Sequence, residues 1–216
     1  MVNILKRLNL KINNIVKILI AVMAVVNAAD GIVAPMFAIF VSQKIEGADL
    51  TTIGYAVAIY WVAKSILQIP ISRYLDRTKG ENDDLFSIMV GIFIFAMVYF
   101  LYIFARTKFD LFLLQGLLAF GGALFIPPWF ATFTRHIDRF KISFEWSLNS
   151  GLIGVSIAGA GALSGIIVSK YGFNALFIIA SSAHIIAFLA ALLLYKYLVK
   201  LNHAEKIFPE MLMQKK

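Results

Sequence analysis

Two ionisable residues stand inside long apolar stretches, where charge is costly. Asp30 lies near the middle of the first stretch and Lys64 near the middle of the second. A charge at the centre of a bilayer costs about 2.5–3.5 kcal/mol on insertion scales. Opposite charges at matching depth on neighbouring helices predict an ion pair that faces the protein interior. Such a pair would be a proton- or ion-coupling site or a substrate anchor; a purely structural salt bridge is the alternative.

Polar and aromatic side chains recur at helical spacing around these charges, which places them on shared helix faces. His184, in the last apolar stretch, is either a packed residue bonded to a backbone carbonyl or a proton relay. The candidate substrate and coupling residues are Asn27, Asp30 and Phe37 in the first stretch, Trp61, Lys64 and Gln68 in the second, Gln115 and Trp129 in the fourth, and Asn149 in the fifth.

The composition indicates that the elements carrying these residues span a membrane. Of the 216 residues, 61% are hydrophobic, whereas soluble domains contain about 45–50% apolar residues. A spanning helix needs about 20 apolar residues. Six stretches are of about that length or longer: 18–42, 50–72, 85–104, 109–134, 146–168 and 173–199. We therefore expect an all-α integral membrane protein with six transmembrane helices joined by short polar loops.

Basic residues orient these helices. With both termini on one side, 15 of the 20 Lys and Arg residues fall on that side and four on the other. Because cytoplasmic loops carry the excess of Lys and Arg, we expect both termini in the cytoplasm and the protein in the cell (inner) membrane. The loops also explain the net charge of +8, so no nucleic acid partner is expected.

The chain divides into three parts. Residues 18–199 form the transmembrane domain and residues 200–216 a cytoplasmic tail. In residues 1–17, basic residues oppose apolar residues at helical spacing, which is typical of an amphipathic helix on the inner leaflet; a basic tail that only sets the topology is the alternative. The absence of Cys and of a Walker phosphate loop excludes thiolate chemistry, cysteine-ligated metals and ATP hydrolysis by this chain. We expect no metal and no cofactor.

The fifth stretch is rich in small residues. Small side chains allow helix backbones to approach closely within a membrane. We therefore expect a helix–helix interface along this stretch, formed by Gly151, Gly154, Gly159, Gly161 and Gly165.

The joint after the second stretch, residues 72–80 with the sequence SRYLDRTKG, carries a recognisable motif. It resembles the loop 2–3 signature of the major facilitator superfamily, G-x-x-x-D-[RK]-x-G-x-[RK]-[RK]. Asp76 and Arg77 match, Ser72 replaces the first Gly, and Gly80 comes one residue late. The basic pair of the signature is replaced by the acidic residues Glu81, Asp83 and Asp84.

Two further features are similar to this family. Gln115 and Gly116 match the end of its R-x-x-Q-G motif, with Phe112 in place of the Arg, and the fifth stretch resembles its Gly-rich fifth helix without the Gly-Pro pair of the antiporters. The resemblance covers nearly the whole chain. It implies one half of a major-facilitator-like fold, with six helices arranged as a 3+3 inverted repeat.

The resemblance also implies an assembly and a gate. Two copies of the chain, in parallel, would supply the twelve helices of the family, with helices 1 and 4 lining a central cavity, helices 2 and 5 at the interface, and helices 3 and 6 facing lipid. Asp76 would cap the start of helix 5 in the second copy, near Glu145, Trp146 and Ser147, and hold the cytoplasmic side shut. Arg77 would reach Glu145 or Asp138 across the same seam.

The expected function is secondary transport of a small organic solute by alternating access in a homodimer. The polar and aromatic candidate residues suit a polar, sugar-like or amphipathic solute, with Asp30 as the coupling carboxylate. Phe112 weakens the case for proton antiport, so uniport stays open. A non-transporting membrane assembly partner and one half of a heterodimeric transporter are the alternatives. An intramembrane serine protease would need a G-x-S-G pattern that Ala162 breaks before Ser164, so no enzymatic activity is expected.

Overall fold

A computed structural model describes residues 12–77 and 81–207, with side chains up to residue 198. Most of the predicted N-terminal amphipathic segment, residues 1–11, lies outside the described residues, as do residues 208–216 of the predicted C-terminal tail. The part of the tail that is described continues the last helix to Ile207.

The described residues form five helices and no strand. Each helix is long and apolar enough to cross a membrane, which confirms the prediction of an all-helical integral membrane protein. The helices are α1 (Asn14–Lys44), α2 (Leu50–Leu75), α3 (Asn82–Leu101), α4 (Lys108–His136) and α5 (Ile142–Ile207).

Polar caps explain why α1 and α4 extend beyond their predicted apolar stretches. The Asn13 side chain accepts a hydrogen bond from the backbone N–H of residue 15 at 3.1 Å. Asp49 with Thr52, and Thr107 with Asp110, form reciprocal capping boxes at the starts of α2 and α4. These caps satisfy N–H groups that the first helical turn leaves free.

The helix α3 ends earlier than the predicted stretch, which reached residue 104. After Leu101 the backbone tightens: the N–H of Phe104 donates to the carbonyl of Leu101 at 3.0 Å, and the N–H of Ala105 donates to that of Tyr102 at 3.3 Å. Hydrogen bonds of this i to i−3 kind close a helix end. Hydropathy alone did not reveal them.

The predicted joint at residues 169–172 is reduced to a single non-helical residue inside α5. Gly172 has φ 78° and ψ 176°, a positive φ that glycine adopts readily. A Cβ placed on Gly161 would lie 3.5 Å from the carbonyl oxygen of Gly31, and His184 Nε2 lies 3.7 Å from Asp30 Oδ1. Positions on either side of the break therefore reach the same level of α1, so the first arm (142–171) and the second arm (173–207) lie side by side.

The core is built around α1, which packs along α5, while α2 packs on α4 and α3 packs on both α4 and α5. Glycines let some of these helices approach closely. A Cβ on Gly91 of α3 would lie 2.7 Å from the carbonyl oxygen of Gly121 of α4, and a Cβ on Gly31 would lie 2.9 Å from the Cα of Ile157. By contrast, α2 has only three buried residues, Thr52, Ala56 and Lys64.

Candidate functional site

A cavity of about 380 Å³ lies between the first four helices. The segments 73–77 and 135–141 lie at one end of the bundle, which is called the basic end here. The cavity occupies the opposite half of the bundle. Its lining consists of Asp30, Val33, Ala34 and Phe37 of α1, Val57, Tyr60 and Trp61 of α2, Phe95, Tyr99 and Tyr102 at the end of α3, and Gln115 and Leu118 of α4. The volume falls in the range of about 300–1,000 Å³ that is usual for small-molecule sites.

Asp30 is the charged side chain of this lining, and its carboxylate is held from one side. The Tyr99 hydroxyl donates a hydrogen bond of 2.6 Å to Asp30 Oδ1. The Asp30 side chain is nevertheless 48% exposed, because the cavity leaves the rest of the carboxylate open. The sequence analysis identified Asp30 from its cost in a membrane, but it did not identify Tyr99.

His184 stands behind this carboxylate as a packed residue. It is fully buried, its Nδ1 lies 2.9 Å from the carbonyl oxygen of Ala180, and its ring stacks on Tyr99 at 5.1 Å. In the neutral ring, an Nδ1–H that donates to the carbonyl leaves Nε2 facing Asp30 without a proton. Of the two interpretations of His184 from the sequence, the structure shows the residue bonded to a backbone carbonyl.

The predicted ion pair between Asp30 and Lys64 is not formed among the described residues. Lys64 is buried at 8% exposure, and its ammonium lies 4.3 Å from the centre of a Trp61 ring and 5.4 Å from that of Tyr60. Its chain passes against α4, since a Cβ on Gly122 would lie 3.1 Å from Lys64 Cδ. Aromatic faces attract cations, so Lys64 is stabilised by rings where the sequence analysis expected a carboxylate.

The nine predicted substrate and coupling residues therefore separate into two groups. Four line the cavity: Asp30, Phe37, Trp61 and Gln115. The other five, Asn27, Lys64, Gln68, Trp129 and Asn149, are not among the lining residues. Gln68, Trp129 and Asn149 lie nearer the basic end, and Asn27 and Lys64 lie at mid-depth. The sequence analysis could not separate them from the lining residues, because a shared helix face does not give the depth at which a cavity ends.

Two of the residues outside the lining, Asn27 and Trp129, form hydrogen bonds within the bundle, and Asn149 is buried. The Asn27 amide donates to the carbonyl of Met23 at 2.8 Å within its own helix. The indole Nε1 of Trp129, fully buried, donates to the carbonyl of Leu19 at 3.1 Å. Asn149 is buried at 4% exposure, and its Oδ1 has no hydrogen-bond partner within the described residues.

The cavity also contains residues that sequence reasoning missed. Phe95 and Tyr99 of α3, and Tyr102 directly after it, line the cavity. The resemblance placed this helix against lipid and did not predict that one of its faces lines a cavity. The spacing of four and three residues puts these side chains on one helix face. The two tyrosine hydroxyl groups on that face of an otherwise apolar helix were the sequence feature that could have identified α3 as part of the cavity wall.

The basic end contains an ion network that joins α3 to α4. Arg135 pairs with Asp84, and its Nε lies 3.8 Å from Glu81 Oε1. His136 Nε2 lies 2.8 Å from Glu81 Oε2. Two of the three acidic residues that follow the loop signature, Glu81 and Asp84, are thus bound within the same chain. The hydrogen bond from His136, aided by the charges of His136 and Arg135, lowers the pKa of Glu81 although burial opposes the shift.

The two predicted gate residues, Asp76 and Arg77, follow the last residue of α2 and are exposed. The backbone N–H of Asp76 donates to the carbonyl of Ser72 at 2.9 Å, and Asp76 lines a depression of about 470 Å³ beside Asp84 and Arg135. The helix α5 begins at Ile142, four residues before the predicted stretch 146–168. Glu145 is buried at 1% exposure within its own chain, so it is not available to Arg77 of a second copy.

The glycines of the first arm of α5 face two ways. A Cβ placed on Gly151, Gly154, Gly159 or Gly165 would meet no described atom within 4 Å outside its own helix turn. Gly161, by contrast, packs against α1 of the same chain. The first four are exposed in the single chain. Gly161 is therefore part of the fold, and the other four remain candidates for an interface with another molecule.

Comparison with known proteins agrees with the all-helical membrane architecture. The family model of the Major Facilitator Superfamily matches residues 19–210, which is most of the chain. No curated protein and no solved structure matches the sequence. The match over α1 to α5, in the order in which the helices and their loops occur, shows that the chain belongs to the Major Facilitator Superfamily.

Proposed function

We propose that this membrane protein is a secondary transporter that moves a small organic solute by alternating access. The observation that carries the proposal is the half-exposed Asp30 carboxylate in an aromatic cavity between the first four helices. A carboxylate inside an apolar bundle costs free energy, and for that reason an ionisable residue within a membrane marks a functional site. Asn27, Gln68 and Asn149 are not in the lining, which favours an amphipathic solute over a sugar.

The proposed membrane topology has six crossings. As a straight helix, the 66 residues of α5 would be about 100 Å long at 1.5 Å per residue, far more than the roughly 30 Å of a hydrocarbon core. The break at Gly172 and the two arms lying side by side support a crossing by each arm. The excess of basic residues at the basic end supports placing that end, and both termini, in the cytoplasm of a cell (inner) membrane.

The packing pairs support a 3+3 inverted repeat. In such a repeat, the first three crossings exchange with the last three, so crossing 1 corresponds to crossing 4 and crossing 2 to crossing 5. The contact of Lys64 in α2 with Gly122 in α4 then corresponds to the contact of Gly161 in the first arm with Gly31 in α1. This exchange is the pattern expected of one half of the superfamily fold.

We further propose that two copies in parallel complete the transporter. The sparse burial of α2 and the open glycines of the first arm leave both surfaces uncovered in the single chain. Packing the α2 of one copy against the first arm of the other would cover both surfaces and bring the two cavities together. At the cytoplasmic end, Asp76 would lie at the start of α5 in the second copy, where free N–H groups and the helix dipole favour a carboxylate by about 0.3–1 kcal/mol.

Asp30 is the proposed coupling carboxylate. Protonation or substrate binding would neutralise the Asp30 carboxylate at the oxygen that faces the cavity. The Tyr99 hydroxyl would keep its hydrogen bond to Oδ1. The proposal covers proton-coupled transport and uniport alike, because Phe112 stands where the family motif has Arg.

Cysteine labelling tests alternating access without knowledge of the substrate. The chain contains no Cys, so Ala34→Cys in the cavity lining introduces a single reactive site. Alternating access predicts that a membrane-impermeant thiol reagent reaches this site from either side, in right-side-out and in inverted vesicles. Ser182→Cys, exposed on the second arm and outside the lining, is the matched control. Labelling of Ala34→Cys from one side alone would contradict the transporter proposal and favour an assembly partner.

A further inference from the structure

The cavity combines one carboxylate with an aromatic wall. Among the described residues that line it, six are aromatic and Asp30 is the one charged group. Aromatic faces carry negative electrostatic potential and attract cations within about 6 Å of the ring centre. Every strong electrostatic feature of the lining therefore favours positive charge.

The carboxylate is oriented for a ligand. Asp30 Oδ1 accepts the Tyr99 hydroxyl at 2.6 Å, which fixes the side chain, while no described residue donates a hydrogen bond to Oδ2. A fixed carboxylate with one free oxygen is a hydrogen-bond acceptor and a counter-charge for an ammonium group. Tyr102 also lines the cavity, and its buried hydroxyl has no hydrogen-bond partner among the described residues.

The chain itself shows that this aromatic wall accepts a cation. The Lys64 ammonium lies 4.3 Å from a Trp61 ring centre, yet Lys64 is buried against α4 and is not part of the lining. From that position it offers no direct contact to an anionic group inside the cavity. Its charge instead lowers the affinity for a second cation nearby.

We propose that the substrates of this cavity are amphipathic organic cations, which place their positive charge at Asp30 and their apolar surface against the rings of Phe37, Trp61 and Phe95. The inference rests on the proposed transport function, since it names the substrate class for the same site. Asp30 is the one carboxylate in this lining, which favours an organic cation over a small inorganic cation, because the latter needs several oxygen ligands to replace its water.

Equilibrium binding of radiolabelled tetraphenylphosphonium to the full chain in nanodiscs tests the proposal, with empty nanodiscs to subtract partition into lipid. Tetraphenylborate has nearly the same shape and the opposite charge. The two ions are measured in separate samples, because they precipitate together. We expect saturable binding of the phosphonium and none of the borate. Absence of saturable phosphonium binding, or equally strong saturable binding of the borate, would overturn the proposal.

Two variants give opposite expected signs. Asp30→Asn removes the counter-charge and should weaken phosphonium binding at least about tenfold, equivalent to ~1.4 kcal/mol. Lys64→Met removes a nearby like charge with little change in side-chain length and should tighten binding, by at least about threefold at the effective dielectric constants of protein sites. Asp83→Asn, an exposed carboxylate at the start of α3, is the charge-matched control and should bind like the parent chain. Unchanged binding in Asp30→Asn, or weaker binding in Lys64→Met, would contradict the assignment.

The outcome is separable from the transporter proposal. If Ala34→Cys is labelled from both sides but tetraphenylphosphonium neither binds nor slows the labelling, the cation inference fails and alternating access stands. If the phosphonium binds through Asp30 but labelling occurs from one side only, the cation site stands and the transporter proposal fails.

Discussion

Replacing Gly91 by Ala tests the closest helix crossing of the fold. The added Cβ would lie 2.7 Å from the carbonyl oxygen of Gly121 and 2.8 and 2.9 Å from the Cβ and N of Phe125. These are backbone or near-backbone atoms, so α3 and α4 must separate to make room. Overpacking of this kind costs about 1–3 kcal/mol, and the better helix propensity of Ala returns about 1 kcal/mol.

We therefore expect Gly91→Ala to destabilise the protein by up to about 2 kcal/mol. For a chain of this size, that corresponds to a fall in Tm of up to roughly 8 °C. The control is Gly116→Ala on α4, where no atom lies within 4 Å of the new Cβ and helix propensity alone acts. Thermal unfolding in detergent, followed by Trp fluorescence, measures both variants. A Gly91→Ala protein as stable as Gly116→Ala would refute the α3–α4 crossing.

Three other predictions concern single hydrogen bonds and ion pairs. Tyr99→Phe removes the donor to Asp30 and should cost about 1.5–3 kcal/mol, seen as a lower Tm; an unchanged Tm would mean that this bond is not formed. Trp129→Phe leaves the aromatic packing and removes a buried donor to a backbone carbonyl of α1, so a loss of about 1 kcal/mol is expected, and equal stability would contradict it. The pKa of Glu81 is lowered by its hydrogen bond from His136, so its contribution is present above the ordinary value of 4.5 and lost as the pH falls through the lower folded pKa. Glu81→Gln should remove about 0.2–1 kcal/mol at pH 7 and flatten the pH dependence of Tm below 4.5, and a profile identical to the parent would refute the network.

The helices and their membrane character were predictable from the sequence, because a spanning helix needs a long apolar stretch whatever it packs against. The length of α5 was the exception. One glycine suffices to reverse the chain at residue 172, so the expected polar joint was not needed. Helix ends were less predictable, since capping by Asn13 and Thr107 extends α1 and α4, and i to i−3 hydrogen bonds end α3 at Leu101.

The site was predictable only in part. Asp30 and Lys64 stood out because charge is costly in a membrane, but which group stabilises each charge depends on packing. Tyr99 reaches Asp30 from α3, and Lys64 turns to the ring of Trp61, and neither contact follows from spacing along one helix. Glu81 and Asp84 were visible as departures from the loop signature, yet their partner Arg135 lies near the end of the next helix, 51 residues after Asp84.

The central claim is that two copies of the chain form one pathway that opens to one side at a time. A disulfide between Asp76→Cys of one copy and Ser147→Cys of the other would close the proposed cytoplasmic gate, and labelling of Ala34→Cys from each side reports access to the cavity. In this triple variant, label is counted by mass spectrometry on the peptide that carries position 34, before and after oxidation. Dithiothreitol restores the open gate and is removed before labelling. We predict a cross-linked dimer in which labelling from the cytoplasmic side is lost and labelling from the opposite side persists. A chain that remains monomeric after oxidation, or a cross-linked dimer whose cavity is still labelled from the cytoplasmic side, would contradict the claim.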